Sequence, residues 1–164
     1  MSPSPTVGTL SWAVPRRSPC YVRGVDETRR QRYLDKLVLV QLRRRQVEEW
    51  TSDLTGDLAA DARTQLAVYK ALQEIVESAM DLCAMRMRDI AQVAKDDYSN
   101  IDLLAQRGEI SADLARVLRE ANGLRNRLVH TYDRIRDDLV LVFVRTRLPE
   151  LVRLAEEVRP WTAT

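Results

Sequence analysis

From about Asp26 to Asp53 the apolar positions Tyr33, Leu34, Leu37, Val38, Val40, Leu42, Val47, Trp50 and Leu54 recur at threes and fours. That period predicts an amphipathic helix. Thr55-Gly56-Asp57 reads as a stop followed by a new start. A second helix is expected from about Leu58 to Asp96, with Leu66, Tyr69, Leu72, Ile75, Val76, Ala79, Met80, Cys83, Met87, Ile90 and Ala94 along it. So long an element is expected to bend or break near Met85–Asp89. Met80, Met85 and Met87 read as core filler, because methionine adapts to irregular packing. Asp96-Asp97-Tyr98-Ser99-Asn100 offers turn and capping chemistry, and Ile101–Arg107 makes a short helix ended by Gly108.

Ser111 then caps a helix that turns Leu114, Val117, Leu118, Ala121, Leu124 and Leu128 inward, with Asn122-Gly123 as a possible kink. Arg134–Asp138 is a charged connection. A last helix carries Leu139, Val140, Val142, Phe143, Leu148, Leu151, Val152, Leu154, Ala155 and Val158; Pro149 should bend or divide it, and Pro160 helps end it. Residues 1–25 show neither a helical nor an alternating period. They hold Pro3, Pro5, Pro15 and Pro19 and read as a poorly ordered extension, with docking through Trp12 or Tyr21 as the alternative. The whole pattern predicts an all-α fold: an extension over 1–25, then an antiparallel helical bundle of four to six helices over 26–160.

Composition narrows the function classes. At 164 residues, with 45% hydrophobic and 30% charged residues, the chain has the makings of one globular domain. Its net charge of +2 provides no global field that would announce nucleic acid. Arginine greatly outnumbers lysine, which occurs only at Lys36, Lys70 and Lys95. That bias suits bidentate phosphate contacts, although codon usage produces the same bias. Arg43-Arg44-Arg45 reads as a solvated face or a phosphate patch. Cys20 and Cys83 lie too far apart in the sequence for a spaced framework, so a reducing compartment is the expectation. No apolar run is long enough to span a membrane, and the first twenty residues have no secretory core. The expected location is cytoplasmic, without membrane association. One histidine and two distant cysteines leave no zinc constellation, and there is no Glu-x-x-His pair and no glycine-rich phosphate loop.

The chemistry that remains centres on Leu124-Arg125-Asn126-Arg127-Leu128-Val129-His130-Thr131-Tyr132, which contains the single histidine. On a helix, Ala121, Leu124, Leu128, Tyr132 and Ile135 share the core stripe, while Arg125, Asn126, His130 and Asp133 adjoin it with Val129 among them. Asn126 and His130 lie four apart and can touch; Arg125 and His130 point roughly 140° apart. An imidazole takes and returns a proton near neutral pH. A guanidinium can hold a phosphate and offset charge growing on phosphorus. Asn126 can orient the imidazole or donate to a phosphoryl oxygen. Those roles suit cleavage of RNA by its own 2′-hydroxyl, without a metal or other cofactor. The plainer alternative is a helix-end histidine satisfied by a carbonyl or by Asp133.

The stretch resembles the R-x4-H-x-Y motif of HepT-like toxins in the HEPN superfamily: Arg125, Asn126, His130 and Tyr132 match it, and the order of elements over about Asp26 to Val158 follows the family. The resemblance implies an HEPN-like bundle acting as a metal-independent endoribonuclease, the toxin of a type VII-like toxin–antitoxin pair. It implies a homodimer whose two motifs line one cleft, an RNA substrate, and a cognate minimal nucleotidyltransferase antitoxin that adenylylates the motif tyrosine, here Tyr132. The helical wheel sets Tyr132 toward the core, whereas modification needs it accessible. Two other readings stand beside this one. The bundle can be a non-catalytic, nucleotide- or partner-binding module that accompanies a nucleotidyltransferase, or a structural adaptor whose arginines meet DNA or protein.

Overall fold

A computed structural model of the chain describes residues 25–54, 57–130 and 136–163. The expected extension over 1–25, with Trp12, Cys20 and Tyr21, therefore falls outside the described residues except for Val25. So do Gly56 and the segment with Tyr132, Asp133 and Ile135. The described residues are all-α: α1 (Glu27–Thr51), α2 (Ala62–Asp89), α3 (Asp97–Gln106), α4 (Ala112–His130), α5 (Asp137–Thr146) and α6 (Val152–Val158), with 3-10 turns at Leu58–Ala60, Pro149–Leu151 and Arg159–Thr162. No helix among them is long and apolar enough to cross a membrane.

α1 and α2 form the backbone of the bundle. Tyr33, Val40 and Val47 recur every seven residues on α1 and are 0%, 1% and 0% exposed, a seam laid against Leu72, Ile75, Val76, Ala79 and Leu82 of α2 in one core. Burying each large side chain of such a seam contributes roughly 1.5–3 kcal/mol. The pairs Arg29–Asp89, Lys36–Asp81 and Arg43–Glu74 climb α1 while descending α2, which fixes the two as antiparallel. Each pair is partly solvated and adds little stability; together they mark the register. Val38 and Leu42, expected among the apolar positions of this helix, lie on its far side and are 67% and 50% exposed. Arg43 and Arg44 are mostly engaged, with Glu74 and Glu48, so the triple-arginine run is largely a paired surface. Met80, Met85 and Met87 are buried filler, as expected.

α2 is shorter than its sequence pattern. It ends at Asp89, and Ala91 adopts φ 55°, so that the Gln92 N–H reaches the Met87 carbonyl at 2.8 Å and the Ala91 N–H reaches Arg88 at 3.0 Å. This is a Schellman closure with alanine at the left-handed position usually taken by glycine. Gly108 (φ 70°) ends α3 by the same geometry, its own N–H bonding Ala105 and that of Glu109 bonding Leu104. The first stop falls within the break expected near Met85–Asp89, but only the second carries the glycine that announces its geometry. Asp96 caps α3, accepting from the Ser99 N–H at 3.0 Å; α3 thus starts at Asp97, earlier than expected.

Tyr33 ties the bundle's ends together. Its hydroxyl donates to Asp89 at 2.6 Å, and its ring meets Trp161 edge-on at 6.1 Å. Burial, then the hydrogen bond to Asp89, pushes the phenol far above its ordinary pKa. The Arg86 guanidinium lies over Trp161 at 5.5 Å and pairs with Glu109 at 2.7 Å. Pro149 divides the closing segment as predicted, with α5 and α6 on either side of a 3-10 turn.

Candidate active site

α4 carries the motif, and its start is fixed twice. Ser111 Oγ accepts from the Leu114 N–H at 3.1 Å, as a capping serine should. The Ser111 N–H and hydroxyl both donate to Glu157 of α6, each at 2.6 Å. From there α4 runs as one helix to His130, and Asn122-Gly123, offered by the sequence as a place to kink, does not interrupt it. One glycine costs an otherwise packed helix only about 1 kcal/mol, and tertiary contact on both sides outweighs that. Ala121, Leu124 and Leu128 are buried, as the helical wheel requires.

The polar stripe is arranged as follows. Arg125 is half-buried: its Nη1 donates to Asn126 Oδ1 at 2.9 Å, and its Nη2 stands 3.6 Å from Asp97 Oδ2. Asn126 thus meets Arg125, not His130. His130 is exposed, on the last described turn of α4, and makes no hydrogen bond with a described residue. The expected divergence of Arg125 and His130 corresponds to one side chain lodged against α3 and the other in solvent. Tyr132, the expected modification site, lies outside the described residues, so its tension with the core stripe stands as the sequence states it.

Two residues join the site that the sequence reading passed over. Asp97 had been read as turn chemistry, but Asp96 performs the capping and Asp97 faces Arg125. Asn122 had been read as half of a kink signal. It is 1% exposed, and its Oδ1 has no hydrogen-bond partner among the described residues. A signal existed: Asn122 precedes Asn126 by four residues and Arg125 by three, so it belongs to the same polar stripe. On the other flank of α4, Tyr98, Arg119, Gly123, Leu124 and Arg127 meet Leu139, Val142 and Phe143 of α5 around a groove of about 520 Å³. Leu139 and Val142 remain 43% and 56% exposed there.

An all-α bundle with a half-buried arginine and, five residues on, a solvent-facing histidine at the end of one helix defines a class of protein, and comparison with known proteins gives the class its name. Residues 41–158 match the family model "Ribonuclease HepT-like", and the chain belongs to that family. A protein of Archaeoglobus fulgidus named "Putative RNase" is 34% identical over 133 residues, covering 79% of this chain and 92% of the relative. A namesake from Methanocaldococcus jannaschii is 43% identical over 68 residues, 42% of this chain and 78% of the relative. Among solved structures, a toxin–antitoxin crystal structure with AMP-PNP superimposes with TM-score 0.74 at 21% identity, over 79% of this chain and 98% of the other. A tri-AMPylated HEPN toxin of Shewanella oneidensis in complex with its MNT antitoxin gives TM-score 0.73 at 22% identity, over 79% and 97%. At that identity these likenesses show the fold alone, a helical bundle of the same architecture.

Proposed function

We propose that the chain is a metal-independent endoribonuclease and the toxin of a toxin–antitoxin pair. The observation that supports this best is the disposition of α4. A family-matching R-x4-H motif presents its histidine to solvent at the helix end, while the arginine is already oriented by Asn126 and Asp97. His130 removes the proton of the RNA 2′-hydroxyl, whose oxygen bonds to the neighbouring phosphorus. The bond from phosphorus to the 5′-oxygen breaks, and the imidazole returns the proton to that oxygen. Arg125 holds the phosphate and offsets the charge that grows on it, with Asn126 placed to donate its amide to a phosphoryl oxygen. Purified protein should therefore cut short RNA as well in a chelator as in magnesium, leaving 2′,3′-cyclic phosphate and 5′-hydroxyl ends. An absolute requirement for added magnesium, or binding without products, would overturn the reading; the second outcome favours a non-catalytic accessory module.

Because Arg125 and His130 diverge, one protomer supplies neither face of a phosphate with both groups, and a homodimer that brings two motifs to one cleft resolves this. The groove floored by the exposed Leu139 and Val142 runs past Arg127, three residues before His130, and offers a second copy an apolar seat. Val142→Asp places a charge in that seat. The expected result is a monomer by light scattering, with unchanged far-UV helicity and RNA cleavage lowered at least tenfold, since buried unpaired charge costs several kcal/mol. A fully active monomer would dispose of the shared cleft. The partner antitoxin is a minimal nucleotidyltransferase, and Tyr132 is its target: the tyrosine oxygen bonds the α-phosphorus of ATP and pyrophosphate leaves. Support comes from the motif match and from the AMPylated state of the Shewanella oneidensis toxin.

A further inference from the structure

The first two residues of α3 straddle α4. Tyr98 sets its hydroxyl over Gly123, 3.5 Å from where a Cβ would stand, and Asp97 approaches Arg125 from the other side. Asp97 also reaches α2: the buried Cys83 thiol is pushed up to about 12, first by burial and then by the charge of this carboxylate. Asp97 thus stands at the start of α3 with its side chain 32% exposed and its carboxylate toward Arg125.

The contact with Arg125 is a long one. At 3.6 Å it is too long for a hydrogen bond but short enough for strong attraction. The carboxylate can therefore steer the guanidinium without consuming its Nη2 donors. At the inner end of the same guanidinium, Nε is buried and has no partner among the described residues. Asn122, one turn earlier on α4, carries the other orphan of the described residues, the buried acceptor Oδ1. A buried donor and a buried acceptor three residues apart on one helix do not bond each other directly here, and one bridging water would satisfy both.

We propose that Asp97 and Asn122 are positioning residues that cradle Arg125: Asn122 secures the inner Nε–H through one water, Asp97 steers the outer end, and Nη2, with the Nη1 hydrogen that Asn126 does not take, is left for a phosphate. This rests on the assignment of Arg125 as the phosphate clamp. It explains why the stripe carries a second asparagine, and why an acid follows the capping Asp96.

Two measurements test it. The first reads the geometry without reference to activity. In the arginine side-chain region of a nitrogen–proton spectrum, the Arg125 Nε–H is identified by its loss in Arg125→Lys. It should be protected from exchange with water, lose that protection in Asn122→Ala and keep it in Asn122→Asp. Rapid exchange in the wild type, or protection unaffected by Asn122→Ala, overturns the inner half of the cradle.

The second is RNA cleavage. Displacing a catalytic group by an ångström can cost about 10²-fold, so Asp97→Asn should lower kcat by about 10- to 100-fold. KM should stay level or fall, because a carboxylate beside the phosphate site has gone. Asp97→Glu should recover most of the rate. In an Arg125→Lys background Asp97→Asn should add no further loss. Unchanged kcat, a risen KM that Glu does not mend, or losses that simply multiply would overturn the outer half. A protein that cleaves no RNA, or an Arg125→Ala variant with full activity, overturns the clamp assignment instead; in both cases the Nε–H exchange still decides the cradle.

Discussion

His130→Ala is expected to reduce RNA cleavage by about 10²- to 10⁴-fold, the range typical of removing a general acid–base group. Far-UV helicity should match wild type. The side chain is exposed at the last described turn of α4 and packs in no core, so exposed-surface substitution costs of within about 0.5 kcal/mol apply to stability. That separation makes the test sharp: a large kinetic loss without a change in melting assigns chemistry to the imidazole. Equal activity in the variant, with correct product ends, would remove His130 from the mechanism whatever its family match.

The largest stability effect is expected at the opposite kind of position. Tyr33 is wholly buried, donates to Asp89, meets Trp161 edge-on and lies under the Arg29 guanidinium. Tyr33→Ala removes the ring, leaves a cavity and strips a half-buried carboxylate of a donor. Together these should cost about 3–5 kcal/mol. Tyr33→Phe keeps the ring and loses only the charge-assisted hydrogen bond, about 1.5–3 kcal/mol. Urea titration followed by far-UV circular dichroism distinguishes the two. Equal destabilisation by Phe and Ala would mean that the hydroxyl, not the ring, holds the C-terminal turn. Because Tyr33 touches neither Arg125 nor His130, the Phe variant should cleave RNA at the wild-type rate while it remains folded.

Much of the architecture could be read in advance, and the misses share a cause. Asp26 and Ser111 are side-chain caps, the first accepting from the Arg29 N–H at 2.8 Å, and Pro149 and Gly108 are backbone constraints written in the residue itself; those boundaries were accessible, whereas α3, capped by Asp96, starts four residues before the expected Ile101. The end of α2 falls inside the break expected near Met85–Asp89, but its form was not legible, because Ala91 takes a left-handed conformation that its residue type does not advertise. Val38 and Leu42 misled in the opposite sense: they fit the threes-and-fours count, but the face that matters is the heptad of Tyr33, Val40 and Val47. At the site, Arg125, Asn126 and His130 stood out through a short motif in one helix. Asp97 lies 28 positions earlier than Arg125 in the chain, and only the packing of α3 across α4 brings them together. Asn122 was hidden by its neighbour, since Asn-Gly is a turn signal that tertiary contact overrode.

The two hydrogen bonds from Ser111 to Glu157 have a bearing on biosynthesis. The serine that starts the motif helix is held by an acid of α6, so this one tie of α4 forms only after α6 has left the ribosome, whereas the buried faces that α4 shares with α2 and α3 need no such wait.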